Sequence, residues 1–130
     1  MHRSTRLRVA GAMLLTGLVA SGCRGDDRPT VDDWQPVWEA RQALIPDAAQ
    51  IASEGEALCG ERLGTVRTEF PALRPTPAEA LDTAVDDWIA HAETLLFECP
   101  DDPSDLERRF DVLTGLAAEV DAGVASTRGN

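Results

Sequence analysis

No lysine and no tyrosine occur in this chain of 130 residues, and all 12 of its basic residues are arginine. Against them stand 23 acidic residues, for a net charge of −11. That balance argues against nucleic-acid binding, which depends on neutralising phosphates with Lys and Arg. It argues equally against a domain that lies flat on an anionic membrane. Histidine is almost missing: His2 and His91 are the two present. Strand-like alternation of period two, internal repeats and low-complexity tracts are absent as well. The length allows one domain. An apolar content of 43% suffices for a packed core and argues against wholesale disorder.

Long hydrophobic runs are also lacking. Residues 1–8 carry Arg3, Arg6 and Arg8, and residues 9–20 are apolar except for Thr16 and a few small residues. About a dozen residues is too short to cross a bilayer and suits the apolar region of a signal peptide. The run ends in Val19-Ala20-Ser21-Gly22-Cys23. Small residues before a cysteine resemble the lipobox of bacterial lipoproteins. The resemblance implies cleavage after residue 22, a diacylglyceryl group on the Cys23 thiol, and further acylation of the new N-terminus by a chain such as palmitate. The alternative is an ordinary secretory signal with a chance cysteine. A mature chain beginning at Cys23 keeps nine Arg and all 23 acidic residues, a net charge of −14, with His91 as its single histidine.

Three cysteines make an odd number, but lipidation of Cys23 leaves Cys59 and Cys99 as a pair in an oxidising compartment. A disulfide between them closes a loop of about 40 residues and contributes roughly 4 kcal/mol on the chain-entropy model. The alternative is two free, buried thiols.

Within residues 30–124 the sequence predicts a small antiparallel four-helix bundle. Residues 23–29 read as the lipidated cysteine and a polar tether, and residues 125–130 as a frayed tail. Four start signals punctuate the chain: Thr30 ahead of Asp32 and Asp33, and the boxes Ser53…Glu56, Thr76…Glu79 and Ser104…Glu107. Pro77 would take the first helical position. Each signal opens an apolar stripe. The first runs through Val31, Trp34, Trp38 and Ile45 to Ala52, with Pro36 tolerated and Pro46 set to kink or break it. The second carries Leu58, Cys59, Leu63, Val66 and Phe70. The third steps through Leu81, Val85, Trp88, Ala92, Leu95 and Cys99, and the fourth through Leu106, Phe110, Leu113, Ala117, Val120 and Val124. Short links around residues 71–75 and 100–103 favour antiparallel neighbours. The start of the second helix then lies beside the end of the third, which suits a Cys59–Cys99 bridge.

Trp34 and Trp38, Leu58-Cys59, Pro75-Thr76-Pro77 and Phe97-Glu98-Cys99-Pro100 together resemble a group of small lipoproteins of high-GC Gram-positive bacteria that has no assigned activity. The likeness covers roughly residues 30–121. It implies the lipid anchor and the disulfide, and says nothing of chemistry.

Candidate chemistry is sparse. One histidine and three mature serines leave no Ser-His-Asp triad, because Ser53 and Ser104 act as caps and Ser126 sits in the tail. A structural zinc site lacks ligands. Asp87, His91 and Glu98 fall at i, i+4 and i+11 on one flank of the third helix, where they would meet a partner or ligand if they are more than a solvated face. Acidic doublets occur at residues 26–27, 32–33, 86–87 and 101–102, and the run at 101–105 lacks the glycine and the ligand spacing of a calcium loop. Trp34 and Trp38 are core residues or, if exposed, anchors for a partner.

These readings converge on a lipid-anchored helical domain on the extracytoplasmic side of the cell membrane. It would act as a non-enzymatic interaction or regulatory module, with no cofactor or metal, toward an envelope protein with a basic face. The alternative is an extracytoplasmic binding protein for a divalent cation or small ligand.

Overall fold

Two residues that a continuous helix does not accommodate divide the N-terminal half of the chain. In the computed structural model, which describes residues 27–129, helix α1 (Val31–Gln42) stops before Pro46, and α2 (Ala48–Glu54) is separated from α3 (Glu56–Glu69) by Gly55. A 3-10 turn (Phe70–Leu73), a long α4 (Glu79–Glu98) and α5 (Pro103–Gly129) follow. The described residues are therefore all-helical, with five α-helices instead of the four read from the sequence. The expected leader (residues 1–22), Cys23 and residues 24–26 of the tether lie outside the described residues.

The first break is proline chemistry. The chain turns through Leu44 and Ile45, whose N–H groups donate to the carbonyls of Arg41 and Gln42, and Pro46 is buried in the link. Asp47 then opens α2 with a capping box: its carboxylate accepts from Gln50 N at 2.8 Å, and its own N–H donates to Gln50 Oε1 at 3.0 Å. The second break needs glycine. Gly55 has φ 67° and ψ −146°, and serves both as the C-cap of α2 and as the N-cap of α3. It displaces the expected box at Ser53, whose hydroxyl lies inside α2 and donates to Gln50 O at 3.3 Å.

The other expected caps divide. Thr30 caps α1 as read, accepting from Asp33 N at 3.1 Å. Thr76 does not cap α4; Ala78 holds that position without a side-chain bond, so Pro77 lies outside the helix. Ser104 does not cap α5 either. Pro103 takes the first helical position and Asp102 accepts from Asp105 N at 3.0 Å, an arrangement in which the missing proline N–H leaves nothing unsatisfied. Residues 125–129, expected to fray, continue α5 to Gly129, and Arg128 joins that end to Asp32 and Gln35 of α1.

The core is aromatic at its centre. Trp34 and Trp38 stack at 5.8 Å, Trp38 meets Trp88 edge-on at 4.7 Å, and Phe70 stacks on Trp88 at 4.9 Å. Such pairs add about 0.5–1.5 kcal/mol each beyond area burial. Val66, Val85, Ala92 and Val120 around them are fully buried. Helices α4 and α5 run in opposite directions. The beginning of α4 touches the far end of α5 so closely that a methyl group on Gly123 would stand 2.6 Å from Leu81 Cδ2, while Glu98 pairs with Arg109 at the opposite end.

Cys59, at the start of α3, is bonded to Cys99, which ends α4 in a left-handed conformation with φ 46°; their Cα atoms are 5.9 Å apart. The expected pairing is present. Replacing both cysteines with alanine is expected to lower the unfolding free energy by about 4 kcal/mol, measured by urea denaturation. A loss below about 1 kcal/mol would show that the helices hold this end without the cross-link.

Candidate functional site

The site residues read from the sequence do not assemble. Trp34 and Trp38 are 3% and 1% exposed, so neither is a surface anchor. Their polar edges are satisfied internally: Trp34 Nε1 donates to Leu73 O at 2.9 Å, and Trp38 Nε1 donates to Asp121 Oδ1 at 3.0 Å. The reading of these two indoles as partner contacts is corrected accordingly. Their i, i+4 spacing puts both rings on the face of α1 that covers the core.

Asp87, His91 and Glu98 lie exposed along α4 without converging. His91 Nδ1 is 3.0 Å from the backbone oxygen of Asp87, not from its carboxylate. Glu98 turns toward α5 and pairs with Arg109, whose pKa is raised chiefly by that hydrogen bond. Among the described residues no group of three His, Cys, Asp or Glu side chains is placed to hold a metal ion.

A polar cluster missed by sequence reasoning sits at the start of α4. Arg28 grips Asp82 with both arms: Nη1 donates to Oδ1 and Nη2 to Oδ2, each at 3.1 Å. Nη1 also donates to Thr76 O at 3.1 Å and lies 3.2 Å from Thr76 Oγ1. The Thr76 hydroxyl, fully buried, stands 2.6 Å from Asp82 Oδ1 and 2.7 Å from Ala78 O. Arg74 approaches the same carboxylate at 3.8 Å and pairs with Asp86. A bidentate arginine–carboxylate pair fixes direction as well as distance. Arg28 and Pro29 therefore belong to the folded domain, and the tether expected over residues 23–29 is shorter by these two residues. The only local signal was a Thr between two prolines; Arg28 lies 48 residues from Thr76 and 54 from Asp82, beyond any periodicity.

Hydrogen bonds from Arg28 and then from Thr76 hold the Asp82 carboxyl below the usual carboxylate range, outweighing the opposing effect of burial. The Arg28 pKa is raised, first by the hydrogen bond to Asp82. Because folding depresses the Asp82 pKa, the clamp stabilises fully above the unfolded carboxyl value of about 3.9 and loses that contribution as pH falls through the folded value.

Elsewhere the surface is furrowed along one flank of α5. A hollow of about 400 Å³ lies between Ala48, Ala49 and Ala52 of α2 and Leu106 and Phe110 of α5. A second, of about 230 Å³, begins at Phe110 and extends past Leu113 to Ala117, with Pro46 on its other side.

Comparison with known protein families, with curated proteins and with solved structures finds no match to this chain. The likeness to lipoproteins of high-GC bacteria rests on the residues quoted for it alone.

Urea unfolding of the protein and of Asp82→Asn across a pH series tests the clamp. The stability difference between the two is expected to be constant above about pH 5 and to shrink steadily as pH falls below the unfolded carboxyl value. A difference independent of pH would show that the Asp82 charge does not hold Arg28.

Proposed function

We propose that the chain is an exported, lipid-anchored helical module that holds a protein partner close to the cell membrane. The observation that carries this reading is the Cys59–Cys99 bridge. A persistent disulfide suits a compartment outside the cytoplasm, and it leaves Cys23 as the one remaining cysteine, at the end of an apolar run preceded by Arg3, Arg6 and Arg8. That is where a lipoprotein carries its acyl group. In this reading α1, α3, α4 and α5 form the antiparallel bundle and α2 is an added short helix.

The Arg28 clamp gives the anchor a direction. Four residues separate Cys23 from Arg28, a reach of at most about 18 Å even when fully extended. The beginning of α4, which Arg28 grips, would therefore face the lipid. Helix α4 has 20 residues, and a helix of that length carries its far end about 30 Å away. The pole bearing Cys59–Cys99, α2 and the first turns of α5 then points toward other envelope components. The acidic surface keeps the domain off an anionic bilayer and attracts a basic partner. An interaction module needs such a presented surface and no reacting group.

Growth of a bacterial host with labelled palmitate tests the anchor. The expected outcome is label on the protein and its recovery with membranes, both abolished by Cys23→Ser. A soluble, unlabelled protein, or label that survives Cys23→Ser, would overturn the reading.

A further inference from the structure

The two hollows on α5 share Phe110 and together follow one flank from Pro103 to Ala117. At 1.5 Å per residue that is a furrow about 21 Å long, the length of a helix of about 14 residues. Its floor is apolar: Phe110 and Ala117 are half-buried, and Leu106 and Leu113 lie beneath them in the core, all four recurring at steps of three and four on α5. The facing wall of α2 is alanine, which lets another backbone approach closely. Its rim is acidic. Glu107 and Asp111, one turn apart on α5, are exposed and form no ion pair among the described residues, and Asp47 stands at the edge of the second hollow.

The neighbouring cations are already engaged. Arg108 pairs with Asp105, and Arg109 with Glu98 and Asp105. Farther off, Arg28, Arg41, Arg74 and Arg128 are likewise paired inside the chain, and Arg62 donates to Leu44 O at 2.9 Å. The furrow thus combines a partly exposed apolar bed with two carboxylates, Glu107 and Asp111, that pair with no arginine among the described residues.

From this we propose that the α2–α5 furrow is the docking site for a cationic amphipathic helix of a protein partner. Its apolar i, i+3, i+4, i+7 face would lie on the exposed Ala49 and Ala52 and the half-buried Phe110 and Ala117, and its flanking Lys or Arg would meet Glu107 and Asp111. The proposal rests on the interaction-module reading and names the chemistry of its partner. Charge complementarity selects the occupant. A second copy of this chain would bring like charge to the rim, and an anionic bilayer would be repelled.

The test uses the mature chain (residues 23–130) with Cys23→Ser to keep it free of lipid; all the packing and clamp contacts described above lie within it. Binding is read in solution by amide NMR shifts, so the result is independent of whether Cys23 is acylated in cells. The probes are two 14-residue amphipathic peptides with leucine at helical spacing, one filled out with lysine and the other with glutamate. The lysine peptide is expected to bind saturably and to shift amides of α2 and of residues 103–117. Glu107→Arg with Asp111→Arg should weaken it by about tenfold or more, as should Ala49→Arg. The charge reversals Glu61→Arg and Glu119→Arg, away from the furrow, should leave the affinity within about twofold.

Absence of binding would overturn the proposal, as would equal binding of the glutamate peptide or shifts spread evenly over the acidic surface. Dimerisation of the peptide-free chain through the same amides would assign the furrow to a second copy instead. The same shifts with anionic phosphatidylglycerol vesicles alone would assign it to lipid. Either result would contradict the partner helix.

Discussion

The covalent link between the start of α3 and the end of α4 is the constraint on which the rest of the molecule depends. A domain of about a hundred residues has a marginal core, and its net stability is a small difference between large terms. Cys59–Cys99 removes freedom from the unfolded chain at the pole where α2, α3, α4 and α5 approach their loops. The opposite pole is secured differently, by Arg28 on Asp82 and by Arg128 on Asp32 and Gln35. Between the two lies the stack of Trp34, Trp38, Trp88 and Phe70. Each of these devices joins segments far apart in sequence, so the short helices need not be stable on their own.

Most of the helical frame was legible in the sequence because it is written in local terms. The stripes on α4 and α5, the Thr30 cap and the break at Pro46 follow from periodicity, a hydroxyl and a missing N–H. What failed was competition between equally good local signals. Ser53, Thr76 and Ser104 all match a capping box, yet none caps. Gly55 takes a conformation that ends α2 two residues later, and Pro103 favours the first helical position, which passes the cap to Asp102. Thr76 is drawn into the Arg28–Asp82 cluster, where a buried hydroxyl with charged partners is held more strongly than at an exposed cap.

The candidate site was less legible still. The tryptophans resolved to core because each indole N–H finds an internal acceptor, Leu73 O or Asp121. Asp87, His91 and Glu98 share a helix flank, but side chains separated by seven residues of one helix cannot converge without a second element to gather them, and α5 draws Glu98 away through Arg109. The clamp and the furrow are tertiary features. Arg28 gave no periodic signal, and the furrow exists only because α2 breaks from α1 at Pro46 and lies beside α5. In the function proposed above, one pole would tie the domain to its anchor and the other would be left open for recognition.

Cys59 and Cys99 are joined to each other, and the proposed function gives Cys23 a different fate, that of bearing lipid. Non-reducing peptide mapping of the protein isolated from its own envelope tests this most directly. The expected result is a linked pair of peptides containing Cys59 and Cys99, together with an N-terminal peptide that begins at Cys23 and carries a diacylglyceryl mass. A free thiol at Cys59 or Cys99, a bridge to Cys23, or a chain that still begins at Met1 would contradict it.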